Sequence, residues 1–382
     1  MPLIIMAFAI LFSQNIEAYP YMIGYGYGSC INCHYNPFGN GPLTDYGRAV
    51  GATTLTARTF YDAKTSDEAL AEKSGFLYSQ PSQDWFRPQV NYRGLNFTSN
   101  QGTDQAAAKD ITMMLNASGV FKFGEDDNVL VVLEAGYAPS PAGIEEDDEP
   151  NYRSRENYVG YRLPEQNYGF YVGLMDKVFG IRVPDHNLYS RSVPQLTMND
   201  QAHSALFHAF SETWELGLQY FIGNLSQEEE LRQQGFTGKA EYSFDKKTRA
   251  GVSYLSSEND YLKLNSYALE FRQGFGTGSA IMAEYGMVTQ EIISSEVETS
   301  SQYFTTQSYV RLNRGIHFVY TYEYLKNDIE EYDHLYRMGP GFQWFPLLGV
   351  ELRVDIYNKK GFSEVATIED SWDLAGQVHL WF

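Results

Sequence analysis

Positive charge is scarce in this chain: 28 Lys and Arg stand against 48 Asp and Glu, a formal net charge of -20 over 382 residues. Nucleic acid is thereby excluded as a partner, because a phosphate backbone is bound by an excess of Lys and Arg. Long apolar runs are also missing. Beyond the first eighteen residues no stretch approaches the roughly 18 uninterrupted apolar residues of a spanning helix, and a mean hydropathy of -0.38 is too polar for a helical membrane protein. No repeat of 20 to 50 residues is visible, which argues against a solenoid or propeller. Cysteine is rarest, with only Cys30 and Cys33. The single apolar run, Pro2 to Phe12, followed by Ser13 to Ala18, has the length of a signal-peptide core with a small residue at the cleavage point. Residues 1–18 therefore read as a signal peptide, and export places the cysteine pair in an oxidising compartment.

What the chain does have is aromatic side chains, 15 % of the total, and alternation. Between Ile111 and Phe123 the odd positions are apolar or small, while Thr112, Asn116, Ser118 and Lys122 fall on the other face. The same period of two returns at Trp214 to Ile222, Ile316 to Tyr324 and Val350 to Ile356. Each run is long enough for a tilted transmembrane strand, which needs about 9 to 11 residues. About sixteen such strands fit between residues 85 and 382. The connections alternate between short (Gly124 to Asn128, Asp245 to Thr248, Asn313 to Gly315, Pro164 to Asn167) and long (Tyr137 to Arg153, Asp176 to Ala202, Gly223 to Gly235, Val288 to Ser301). Outer-membrane barrels show this asymmetry between tight periplasmic turns and extended outer loops. The chain ends Trp372, Leu374, Gly376, Val378, Leu380, Phe382, resembling the terminal-strand signal read by the barrel assembly machinery. The expected fold is all-β: an antiparallel transmembrane barrel over residues 85–382 in a Gram-negative outer membrane, in contact with lipid. Residues 19–84 lack alternation and read as a small irregular or helical segment, either hanging in the periplasm or filling the lumen.

That segment carries Cys30-Ile31-Asn32-Cys33-His34, the C-x-x-C-H signature of c-type haem attachment. Two thiols add to the haem vinyl groups and the adjacent histidine reaches the iron. A redox pair, a disulfide or half of a zinc site are the alternatives. A thioredoxin-like pair expects a βαβ context that is missing, and zinc needs further Cys or His nearby, whereas His34 is the only histidine before His186.

A signal peptide, one C-x-x-C-H near the mature N-terminus and a barrel of about sixteen strands ending in Phe together resemble the fused outer-membrane cytochrome-porins of iron-oxidising bacteria and their relatives. The stretch "SCINCHYNPFGNGPLTDYGRAV" is also similar to the haem segment of related monohaem barrels. The resemblance implies one covalent haem c on Cys30 and Cys33, with His34 as proximal ligand. It further implies electron transfer between an extracellular donor or acceptor, a small cation such as Fe(II) or a soluble redox partner, and a periplasmic c-type cytochrome. An oxidoreductase acting on an extracellular metal ion is one form of that activity. The tail "HYNPFGNGPLTDYGR" departs from the haem surroundings of iron oxidisers, which puts the iron substrate, though not the haem, in doubt.

Three residues are candidates for the sixth iron ligand: Met22 beside the motif, and His186 and Met198 in the long connection Asp176 to Ala202, which in a porin can fold into the lumen. Asp45 and Arg48 are candidates to bond the haem propionates or one another, and five tyrosines (19, 21, 25, 27, 35) to pack on the macrocycle, although the same composition would suit a loose periplasmic linker. His317 and His379 fall on the lumen-facing parity, and His203 and His208 bracket a strand start. Glu215, Glu241, Glu323, Glu351 and Asp355 share the lumen parity and predict a cation-attracting lining. The alternative function is thus a cation-selective diffusion porin with the haem segment as a structural or regulatory plug. Haem-based sensing or peroxide chemistry is a third.

Overall fold

Alternation along the chain resolves into one closed sheet. In a computed structural model that describes residues 19–62, 64–81, 83–100, 107–138, 152–163, 167–364 and 367–382, sixteen antiparallel strands run from β1 (Phe86–Asn100) to β16 (Thr367–Trp381), each paired with its sequence neighbours. β1 closes on β16 through pairs such as Asn91 with Trp381. Closure gives every strand two partners, the condition for backbone to cross lipid. The signal segment 1–18, the acidic run 145–149 and most of the turn 164–167 lie outside the described residues.

Side chains sort by parity. On β10 (Leu262–Phe275) Tyr267, Leu269 and Phe271 are exposed to the lipid side, while Ala268, Glu270 and Arg272 are buried in the lumen. The alternation read from Ile111 to Phe123 is broken once. In β2 (Ala107–Phe123) Arg93 pairs with Met114 and Gly94 with Thr112, so Met113 is the extra residue of a β-bulge and turns from the lipid face to the interior. The connection expected from Val288 to Ser301 is also shorter than its polar composition suggests. β11 (Ser279–Ile292) and β12 (Val297–Asn313) stay paired through Val288 with Ser301 out to Ile292 with Val297. Thr, Gln and Glu there extend a strand on the exposed end of the barrel, where both faces meet water.

The lumen is filled from two sides. Residues 19–84 enter at the end that carries the short turns and both barrel termini, the periplasmic end. The Tyr61 hydroxyl accepts from the Leu348 N–H at 3.0 Å, Tyr78 donates to the Leu348 carbonyl at 3.2 Å, and Arg314 pairs with Asp67 at 2.9 Å. From the other end, the connection between β5 (Tyr168–Met175) and β6 (Ala202–Phe210) descends into the barrel. Its backbone donates to lumen side chains: Val178 to Gln219 at 2.8 Å, Ile181 to Glu284 at 2.6 Å and Tyr189 to Glu323 at 2.6 Å. The two intrusions meet. Tyr21, Met22 and Ile23 of the plug pack with Ile181, Val183 and Leu188 of the loop in one apolar cluster against the barrel wall.

The expected acidic lining is corrected by this packing. Glu215 pairs with Arg249 at 3.0 Å, Glu241 with Arg272 at 2.5 Å, Glu323 with Arg337, and Asp355 with Arg353 at 2.7 Å. Glu351 accepts from Tyr19 at 2.9 Å and from Gln343 at 2.5 Å. A carboxylate buried without a partner costs several kcal/mol, so the scarce arginines are spent on these acids. The lumen carries a ladder of ion pairs where the sequence predicted a bare acidic surface.

Candidate functional site

The motif sits in a tight turn. Pro20–Tyr25 forms a 3-10 turn with Pro at its start, ended by Gly26 at φ 95°, a left-handed conformation suited to glycine. Cys30–Asn32 forms a second, in which Cys33 and His34 both donate to the Cys30 carbonyl, at 3.1 and 3.0 Å. A short helix, Asp45–Val50, locks this turn: its N-cap Thr44 donates from its backbone to the Cys33 carbonyl at 2.7 Å, and the Thr44 hydroxyl bonds the Asn32 carbonyl. Gly47 lies flat on Cys33, where a Cβ would come within 2.9 Å of the cysteine Cβ. Asp45 pairs with Arg87 at 2.7 Å and Arg48 donates to the Pro88 carbonyl at 2.8 Å. These two residues anchor the helix to β1 and do not line the cavity.

Above the turn lies a cavity of about 170 Å³. Cys30 and His34 form part of its floor with Phe38, Gly39 and Leu43; Gly39 stands where a Cβ would lie 3.4 Å from the Cys30 sulfur. His186 and Met198 belong to its loop-derived wall. Two of the three candidate sixth ligands thus face the same space as the motif. Met22 does not: it is fully buried in the apolar cluster around Tyr21 and Ile23. Cys33 is buried beneath the floor. Of the tyrosines, Tyr19 lines the cavity, whereas Tyr21 stacks on Tyr309 at 4.2 Å and Tyr35 packs with Val120 and Leu130.

The other histidines take structural places. His379 lines the cavity, 3.1 Å from Glu351 and 3.3 Å from Arg93. His317 lies behind the plug, 3.4 Å from the Tyr25 hydroxyl. His208 is buried 3.0 Å from Glu215, and His203 accepts from the Leu225 N–H at 3.1 Å.

Sequence reading missed the charge of this cavity. Arg93, Arg155, Arg182 and Arg191 line it, and among the described residues no Asp or Glu does, in a chain of net charge -20. The four come from β1, the residue stretch before β4 (Asn157–Arg162) and the intruding loop, so no local spacing announces them. Desolvation, with Glu215 adding to it, pushes the Cys30 thiol up to about 11. That is the reverse of the lowered pKa that a redox-active thiol needs, and it weakens the redox-pair alternative. Desolvation and the neighbouring Arg191 bring Arg182 down to about 9.

The residues present fit a c-type haem. One cysteine and the adjacent histidine open onto the space, a second imidazole and a thioether face it from the loop, and Arg93, Arg155 and Arg191, which form no ion pair among the described residues, suit the acidic side chains that a haem carries.

No family model matches the chain, and no curated protein matches its sequence. Solved structures do match in fold. The outer-membrane protein OmpT of Vibrio cholerae is similar over 79 % of this chain and 99 % of its own, with a TM-score of 0.60 at 7 % identity. An anion-selective porin from Comamonas acidovorans is similar over 78 % and 99 %, with a TM-score of 0.57 at 9 % identity. The outer membrane channel DcaP of Acinetobacter baumannii is similar over 81 % and 99 %, with a TM-score of 0.57 at 13 % identity. At such identities the likeness is one of fold: the chain is a closed, porin-like 16-strand barrel of the Gram-negative outer membrane.

Proposed function

We propose that this barrel is an outer-membrane electron carrier with one covalent haem c, attached through Cys30 and Cys33 and held by His34 on its proximal side. The observation that carries the reading is the meeting of Cys30 and His34 with His186 and Met198 around one cavity, between a plug from the periplasmic end and a loop from the outer end. Bound there, the iron would supply one-electron chemistry at the middle of the barrel. The chain's own residues do the rest. Thr44 and Gly47 hold the motif in its turn, Phe38 and Leu43 exclude water from the floor, and the loop offers the sixth ligand from above. Because the apolar band of such barrels is about 25 Å tall, one haem reaches neither face alone. A periplasmic c-type cytochrome on one side and a small cation or soluble redox partner on the other complete the path.

A second reading is favoured by the structural likeness: the similar proteins named above include a porin and a channel, so diffusion of solutes is the alternative, with residues 19–84 as a removable plug. A haem stain and a reduced-minus-oxidised spectrum on the purified outer-membrane protein separate the two, comparing the native chain with Cys33→Ala. The carrier reading expects a stained native band and loss of covalent haem in the variant; equal staining of both would falsify it.

A further inference from the structure

The four arginines of the cavity are not equivalent. Arg182 forms an ion pair with Asp176. Arg155 is saturated by neutral acceptors: its guanidinium donates to Asn199 at 2.9 and 3.1 Å, to Asn116 at 3.2 Å and to the Met113 and Met198 carbonyls at 3.2 Å. Arg93 reaches only the Pro184 carbonyl, at 3.5 Å, and the His379 ring, at 3.3 Å, and its Nε is buried without a partner. Arg191 is the extreme case. Only 5 % of it is exposed, its Nε has no hydrogen-bond partner, and among the described residues no carboxylate forms an ion pair with it.

Glu284 and Asp200 are the acids whose charge reaches Arg191, yet neither forms an ion pair with it and its Nε is left without a partner; a planar donor fork in that position is suited to carboxylates taken two oxygens at a time. We infer that Arg191 and Arg93 form a receptor for a pair of carboxylates within the cavity, and that the carboxylates are the two propionates of the covalently held haem. This rests on the proposed haem and extends it to the loop. Arg93 belongs to β1 and Arg191 to the intruding connection, so a ligand bound by both clamps the loop to the barrel wall. A free small dicarboxylate would satisfy the same chemistry, and the test distinguishes the two sources.

The measurement is the midpoint of thermal unfolding of the full chain in detergent, for the native residue and for Arg191→Leu and Arg191→Lys. It is made in three backgrounds: the haem-loaded protein, the haem-free Cys30→Ser/Cys33→Ser protein, and the haem-free protein with excess succinate. Arg191→Leu is expected to lower the midpoint by several degrees in the haem-loaded protein, with much of the loss restored by Arg191→Lys. In the haem-free protein the same change should leave the midpoint unmoved or raise it, because it removes an unmatched charge. Destabilisation only where succinate is present overturns the haem assignment in favour of a free dicarboxylate. A neutral or stabilising effect in all three backgrounds overturns the receptor itself. Haem staining of the native chain is read independently of Arg191, so a colourless protein refutes the haem reading while the succinate background still decides the receptor.

Discussion

Glu156 gives the fold a calculable dependence on pH. The residue lies just before β4 and is fully buried. One carboxylate oxygen accepts from the Asn36 side chain at 2.8 Å, and the other has no partner. Burial, with the nearby Glu134 carboxylate, pushes its pKa from 4.5 up to about 8, against the opposing effects of Asn36 and Arg182. The carboxyl also occupies the space that a side chain at Gly41 would need. A carboxyl whose folded pKa is raised binds a proton in the folded state that it has already lost in the unfolded one. The contribution of Glu156 to stability is therefore most favourable below pH 4.5 and falls as pH rises toward 8. A gap of about 3.5 pH units at about 1.4 kcal/mol each gives roughly 5 kcal/mol at the upper limit. Urea unfolding of the detergent-refolded barrel at half-unit steps from pH 4 to 9 measures this, with Glu156→Gln in parallel. The two proteins should agree at pH 4 and diverge steadily above pH 5, the variant becoming the more stable by a few kcal/mol at pH 8.5. Parallel curves across the whole range would refute the reasoning, since they would mean that Glu156 is solvated or already paired.

Two further outcomes follow from the plug. Gly47→Val would drive a side chain into Cys33 and lift the Asp45–Val50 helix off the motif; haem staining should fall at least severalfold while heat-modifiable mobility on gels, the mark of an intact barrel, is kept. In planar bilayers the full chain should be nearly silent, and removal of residues 19–84 should give discrete openings; large steady conductance from the full chain would contradict the packing of plug on loop.

The strands were legible because lipid on one side and water or ion pairs on the other impose a period of two that nothing in the chain can hide. Only local exceptions escaped, such as the bulge at Met113 and the polar extensions that keep Val288 to Ile292 paired with β12. The spacing Cys30-x-x-Cys33-His34 was legible too, because it stands in five consecutive residues. Its surroundings were not. The helix Asp45–Val50 has only six residues; its Thr44 cap is a local signal, but the Arg87 pair and the close approach of Gly47 to Cys33 that fix it are tertiary. Met22 illustrates the same limit. Eight residues from Cys30, it is a reasonable sulfur ligand on paper, yet it is buried in the apolar cluster that also holds Ile181, Tyr309 and Phe345. The arginines that give the cavity its sign come from segments as far apart as Arg93 and Arg191 and meet only after the barrel closes.

How firmly the barrel is shut bears directly on what it can carry. A porin loop that merely narrows a channel leaves a hydrated path beside it, but here the loop donates backbone N–H groups to Gln219, Ser253, Glu284 and Glu323 around the wall. Arg337 and Lys239 return bonds to the carbonyls of Asn187 and Gly180. The plug is tied in the same way, with Arg272 on the Gly28 carbonyl and Ser29 on Glu215. Each such bond contributes only about 1 kcal/mol net, but withdrawal of the loop breaks them together and takes a donor from Glu284 and Glu323, buried carboxylates then left to Tyr303 and to Arg337 with Thr305. Spontaneous opening wide enough for a solute would thus be rare on the timescale of a transport cycle. An electron needs no such opening, and the haem we propose between the two intrusions would turn the seal into insulation.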